Sequence, residues 1–287
     1  MSAPDDATPH SLAERHSLDG RIAVVTGGSR GLGLAIARLL ASRGATVVIG
    51  ARDQQRVDDA VARLTASGMR VHGRACDVGD FSDVEALRDD ALAHGGLDIW
   101  VNNAGAAGLY GPTHLTPPAT FERVVRTNIL GTFHGCRAVL PGMIERGDGH
   151  VVNLYGRGAS KPVPLQNAYA SSKAWVRTFT RTLQQELKGT GVHVHGFNPG
   201  LVTTDMLGEV TVVPGYEDKV RALPVVVGLW GQPPEVAALP VLGLVSGRAR
   251  EYRDLTPRRA VTRAARSVAA GRLRPERRMP MEIRTAE

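Results

Sequence analysis

The stretch Arg21-Ile-Ala-Val-Val-Thr-Gly-Gly-Ser-Arg-Gly-Leu-Gly33 decides the fold of this 287-residue chain. Its first six residues are a short β-branched run without polar alternation. That is the pattern of a parallel strand covered on both faces. Thr26-Gly-Gly-Ser-Arg-Gly-Leu-Gly33 follows directly and opens an Ala/Leu-rich helix to about Arg43. Strand, glycine turn and helix in that order are the context of a dinucleotide-phosphate site. Glycines let the backbone approach a pyrophosphate, and the helix start offers N–H groups and positive potential. The alternative is a Gly-rich turn without a ligand.

Outward from this unit the chain alternates. Strands are expected at 45–50, 70–74, 97–101, 149–154 and 192–197. Helices are expected to about Ser67, over 81–94, over 118–146 with Asn128 inside, and from Tyr169 to about Lys188. Such alternation means parallel strands joined by crossover helices, an α/β fold. The second strand runs into Gly50-Ala51-Arg52-Asp53. An acidic residue at that point suits a ribose 2′-hydroxyl, whereas arginine suits a 2′-phosphate. Arg52 is well placed, Arg30 is a second cation, and Asp53 is expected to cap the next helix. This favours NADP over NAD; the alternative is two solvated arginines. Asp77, past the third strand, could accept from an adenine amino group. Cys76 beside it reads as a small buried residue. Asn102-Asn-Ala-Gly105 ends the fourth strand, at the edge where such sheets bind ligands.

Composition narrows the class. A hydrophobic fraction of 43% and a charged fraction of 22% suit a soluble globular protein. Two cysteines cannot build a disulfide framework, so a cytoplasmic home is expected. No apolar run is long enough to span a membrane, and no signal-peptide core begins the chain. The net charge of +7 lies wholly beyond residue 247, where twelve arginines face five acidic residues. A neutral body with a basic appendage argues against nucleic-acid or membrane partners, and no metal cluster is expected.

Tyr169-Ala-Ser-Ser-Lys173 is the chemical candidate. A tyrosine and a lysine four apart share one helix face. A free tyrosine has a pKa near ~10, and a neighbouring ammonium is expected to lower it toward general acid/base use.

Taken together, these stretches resemble the classical short-chain dehydrogenase/reductase family. The matching strings are Thr26-Gly-x-x-x-Gly31-x-Gly33, Asp77-Val78, Asn102-Asn-Ala-Gly105, Asn128, Tyr169-x-x-x-Lys173 and Pro199-Gly200, in family order over about 20–247. The resemblance implies a Rossmann-type doubly wound sheet in three α/β/α layers, a nicotinamide cofactor, and hydride transfer between a carbonyl and an alcohol. It makes Tyr169 the acid/base. Lys173 would hold the nicotinamide ribose and Asn128 a relay water. On the cofactor it places Gly27, Ser29, Arg30, Gly31, Leu32 and Gly33 from the glycine loop. Arg52, Asp77, Val78, Asn103, Ala104 and Gly105 would follow from the next strand ends. Pro199, Gly200, Val202 and Thr204 would complete the contacts.

The chain departs from the family twice. The family's catalytic serine falls on Gly156, in Asn153-Leu-Tyr-Gly-Arg-Gly-Ala-Ser160. Losing one such donor costs ~10²–10³ in rate. Tyr155 or Ser160 could replace it, the substrate could carry its own activation, or the reaction could differ. Tyr155, Gly156, Arg157 and Ser160 are the candidate substrate contacts. The family's last strand and Asp-Gly-Gly turn are also missing after Leu244-Val-Ser-Gly247, which puts a tetramer in doubt and favours a dimer. The expected layout is an N-terminal arm over 1–19, a catalytic domain over 20–247 with an apolar lid over 205–232, and a basic extension over 248–287. The expected function is NADP(H)-dependent carbonyl/alcohol interconversion on a hydrophobic or aromatic molecule. Its rivals are an isomerase, dehydratase or lyase retaining NADP, and a silent cofactor-binding protein.

Overall fold

The computed structural model describes residues 17–247, 249–273 and 281–286. The arm expected over 1–19 falls mostly outside them. Leu18 is already buried, its N–H donating to the Arg43 carbonyl.

Seven parallel strands form the central sheet. They are β1 (Ile22–Thr26), β2 (Thr46–Ala51), β3 (Val71–Ala75), β4 (Ile99–Asn102), β5 (Gly149–Leu154), β6 (Val192–Asn198) and β10 (Glu251–Arg253). Their order across the sheet is β10-β6-β5-β4-β1-β2-β3. All five residues of β1 are buried, as their apolar run predicts. Helices cover both faces. They are α1 (Gly31–Ala41), α2 (Gln54–Thr65), α3 (Phe81–Leu92), α4 (Pro118–Val124), α5 (Gly131–Arg146) and α6 (Asn167–Glu186). One core packs α1 and α2 against β1 and β2; the other seats α3, α5 and α6 around Trp100. Burying one large apolar side chain contributes roughly 1.5–3 kcal/mol. Asp53 caps α2 by accepting from the Arg56 N–H.

The strand order reverses between β1 and β4, and the ends of these strands open the crevice where such sheets take ligands. The long helical stretch is not uniform. Between α4 and α5 it widens into a π turn over Val125–Leu130, which contains the buried Asn128. Such turns gather at functional sites.

The C-terminal region differs from expectation. Despite the missing Asp-Gly-Gly, the last strand exists: β10 pairs with β6 through Glu251↔Gly196 to Arg253↔Asn198. Three residues suffice because β6 supplies the template. Segment 205–232 contains β8 (Glu209–Val212), α7 (Leu223–Trp230) and β9 (Gly231–Gln232), with its own apolar cluster of Val210, Val212, Val220, Leu223 and Val227. β9 pairs with β7 (Leu201–Val202). The basic stretch forms α8 (Pro257–Ala269) and β11 (Glu282–Thr285), which pack on α7 and pair with β8 respectively. No helix among the described residues is long and apolar enough to cross a membrane.

Candidate active site

The glycine loop is set by close approach. A Cβ on Gly33 would overlap the Gly27 carbonyl, so only glycine lets α1 start this near β1. Asn103 braces the loop from below, its Nδ2 donating to the carbonyls of Thr26 (2.8 Å) and Gly27 (3.2 Å). Thr26 Oγ1 accepts from the N–H groups of Asn103 and Ala104. The start of α1 carries no side-chain cap, which leaves its N–H groups available to an anion. Ser29 is buried and Leu32 half-buried there. Arg30 spans to Asp205 at 3.3 Å, while Arg52, exposed at the end of β2, forms no ion pair among the described residues. Asp77 accepts from the Gly79 N–H at 2.9 Å and lies 3.6 Å from Arg126. Val78 is buried, and its carbonyl meets His134 Nδ1. Burial pushes the Cys76 thiol up to about 12, so it stays protonated and inert.

The Tyr169 face of α6 continues through Lys173, Val176, Thr180 and Leu183, spaced four, three, four and three apart. All of these beyond the half-buried Tyr169 are buried against the sheet. Leu165, just before the helix, has φ 66, and its carbonyl takes the Gly111 N–H. A left-handed leucine is strained, and the bond to Gly111 helps hold it. Lys173 is 5% exposed and donates from Nζ to the Leu154 carbonyl at 3.0 Å. Asn128 Nδ2 reaches the Ala106 carbonyl (3.0 Å) and Ser172 Oγ (2.9 Å), and its Oδ1 accepts the Ala106 N–H. Its side chain is thus committed to fixing the loop after Gly105. A Cβ on Gly105 would lie 4.0 Å from Lys173 Nζ. The strand-end loop and the Tyr169 helix therefore meet in one place.

The electrostatics correct one expectation. Lys173 Nζ stands over the Tyr169 ring, 5.7 Å from its centroid, rather than at the hydroxyl. Burial dominates and pushes the Tyr169 phenol up to about 12, with Tyr110 adding to the rise. Burial also lowers the Lys173 ammonium to about 8. The Tyr169 hydroxyl makes no hydrogen bond to a described residue and lies against Gly156.

Two proposed replacements for the serine are turned elsewhere. The Tyr155 hydroxyl overlies Gly196 and points to Glu251 at 3.4 Å, because β6 offers a glycine-sized gap there. Ser160 Oγ accepts from Arg253 at 2.9 Å. Arg157 is exposed, and its charge opposes the burial that raises Tyr110.

The turn after β6 holds Gly200 at φ 76 beneath the Asp254 carboxylate, where a Cβ would come within 2.5 Å of Oδ2. Pro199 accepts from Gln232 Nε2, and Val202 pairs with Gln232. Thr204 is half-buried, and its Cγ2 would lie 3.1 Å from a Cβ on Gly31. Sequence reading missed Tyr110, Asp205 and the ion pair between Asp254 and Arg263. None belongs to a motif; only the position of Tyr110 eight residues after Asn102 hinted at the site.

Known proteins are similar to this chain in sequence and fold. A family model described as short chain dehydrogenase matches residues 21–212. Dehydrogenase/reductase SDR family member 4 of Bos taurus is 35% identical over 212 residues, covering 74% of this chain and 76% of that protein. A 3-oxoacyl-[acyl-carrier protein] reductase from Brucella melitensis, solved with bound NAD, superposes with TM-score 0.70 at 31% identity, over 85% of this chain and 91% of its own. An actinorhodin polyketide ketoreductase variant, solved with NADPH, gives TM-score 0.71 at 30% identity, over 86% and 93%.

Proposed function

We propose, from the premise that this chain belongs to the short-chain dehydrogenase/reductase family, that it is an NADP(H)-dependent carbonyl reductase for a fairly large apolar or aromatic substrate. The observation that carries this reading is the uncommitted Tyr169 hydroxyl, with Lys173 behind its ring, beside the ends of β4 and β5. The glycine cradle and Arg52, unpaired among the described residues, fit a dinucleotide bearing a 2′-phosphate. Solved relatives hold NADPH or NAD, and Arg52 is the residue we assign to the choice between them.

A bound nicotinamide would supply or accept the hydride. The protein's own residues handle the proton. With its pKa near 12, Tyr169 holds its proton at neutral pH and can give it to the carbonyl oxygen. Lys173, a cation up to about pH 8 and anchored on Leu154, stabilises the phenolate left behind. Asn128 keeps the Gly105 loop in place. The apolar cluster of 205–232, joined by Tyr110, supports a hydrophobic substrate. Leu130 and Phe133, exposed around the start of α5, support pairing of two copies as a homodimer.

Gly156 favours a second reading, a non-redox isomerase, dehydratase or lyase retaining NADP. A panel of ketones, aldehydes and quinones with NADPH tests both. Substrate-dependent loss of NADPH absorbance is the expected result. Product formed without NADPH loss would replace the first reading by the second.

A further inference from the structure

Gly156 opens the turn after β5, its carbonyl accepting the Ala159 N–H, and its Cα faces the Tyr169 hydroxyl. A Cβ built there would overlap the phenol oxygen, at a separation that real Cβ atoms do not adopt. Its next neighbours are Tyr169 Cζ at 3.2 Å and Lys173 Cγ at 3.3 Å, which are tight but tolerable. The conflict is therefore confined to one atom, the hydroxyl. The ring itself stands beneath Lys173 Nζ, 5.7 Å from its centroid, and that Nζ is tied to the Leu154 carbonyl.

We infer that Gly156 is a positioning residue: by carrying no side chain, it gives the Tyr169 hydroxyl the space a Cβ would fill, so that Tyr169 alone meets the substrate oxygen. The glycine is then a working part of this site rather than a lost donor. A serine at 156 would displace the existing donor while adding its own. A displacement near one ångström is cheap in packing terms, since it moves the end of a side chain. In chemical terms it is costly, because a misplacement of that size can cost on the order of 10²-fold in rate.

The catalytic consequence rests on Tyr169 being the proton donor, but the steric claim does not, and a double-mutant cycle separates the two. The first readout is thermal stability of the full chain as wild type, Gly156→Ala, Tyr169→Phe and both together. Gly156→Ala should change the melting temperature less favourably in the wild type than in the Tyr169→Phe background, where the conflicting oxygen is gone. Equal changes in both backgrounds would overturn the inference, whatever the protein catalyses. The second readout uses a carbonyl that the wild type reduces with NADPH. Gly156→Ala and Gly156→Ser should both reduce kcat by ~10²-fold, with NADPH affinity unchanged. A Gly156→Ser protein matching or exceeding wild-type kcat would also overturn it, since the position would then merely lack a donor. Should no carbonyl be reduced, the stability cycle still decides the steric claim, and only the proposed function falls.

Discussion

Replacing Arg263 by methionine tests how far the C-terminal helix is part of the body. Arg263 holds Asp254 with both terminal guanidinium nitrogens, the Nη2 contact at 2.9 Å. Asp254 is 3% exposed, packs over the Gly200 turn and accepts no other side-chain bond among the described residues. Around this pair, Trp230 Nε1 donates to the Ala260 carbonyl and Ser267 Oγ to the Leu229 carbonyl. Methionine keeps the stem of Arg263 and deletes its charge. It leaves a buried carboxylate without a partner, which costs about 3–5 kcal/mol. For a domain of this size that shifts Tm by roughly 6–20 °C. Urea denaturation followed by circular dichroism gives the free energy, and Asp254→Asn/Arg263→Met, which removes both charges, should recover most of it. A loss for Arg263→Met below about 1 kcal/mol, the range of an exposed pair, would refute the reasoning. By the same argument, deletion beyond Thr256 should destabilise segment 205–232.

Other outcomes follow from the same contacts. Arg52→Ala should weaken NADPH binding by ~10-fold or more, with NADH little changed, since a charged hydrogen bond contributes roughly 1.5–3 kcal/mol; titrating both nucleotides checks this, and a loss shared by both would reject the assignment. Burial lowers His150 and His195 to about 4, and they share a 3.0 Å bond while His195 Nδ1 donates to the Ala249 carbonyl. The unfolded chain therefore binds more protons between about pH 6.5 and 4, and stability must fall as pH drops through that window, on the order of 1 kcal/mol per unit per histidine. Urea midpoints at pH 7 and pH 5 should differ by that slope and differ less in His150→Gln; identical midpoints in the wild type would contradict it. Reduction should slow above about pH 8, where Lys173 loses its charge, and a rate rising steadily through pH 9 would count against the proton donor being Tyr169.

The parts of this fold written in local pattern were legible in the sequence. The runs at 22–26 and 46–51 are apolar on both faces, and the glycine turn joins strand to helix, so the parallel sheet followed. Asp53 announced itself as a cap. What stayed hidden depends on distant partners. β10 has three residues and no pattern of its own; β6 makes it a strand. Arg263 and Asp254 are only nine residues apart, but their burial comes from the packing of α8 on α7 and of Asp254 over Gly200, and a basic helix alone reads as solvated. The Tyr169 and Lys173 spacing predicted a shared face, and it exists. The direction of the tyrosine's pKa was missed, because burial and the placement of Nζ over the ring cannot be read from spacing. Tyr155 and Ser160 looked available in one dimension, and Glu251 and Arg253 had claimed them in three.

The most direct test of the account is the turnover of Tyr169→Phe. The substitution removes one oxygen and leaves the ring under Lys173. NADPH binding should survive, and kcat for carbonyl reduction should fall by ~10²-fold or more. A Tyr169→Phe protein that binds NADPH and turns over at the wild-type rate would contradict the account, because the proton would then come from elsewhere in the chain.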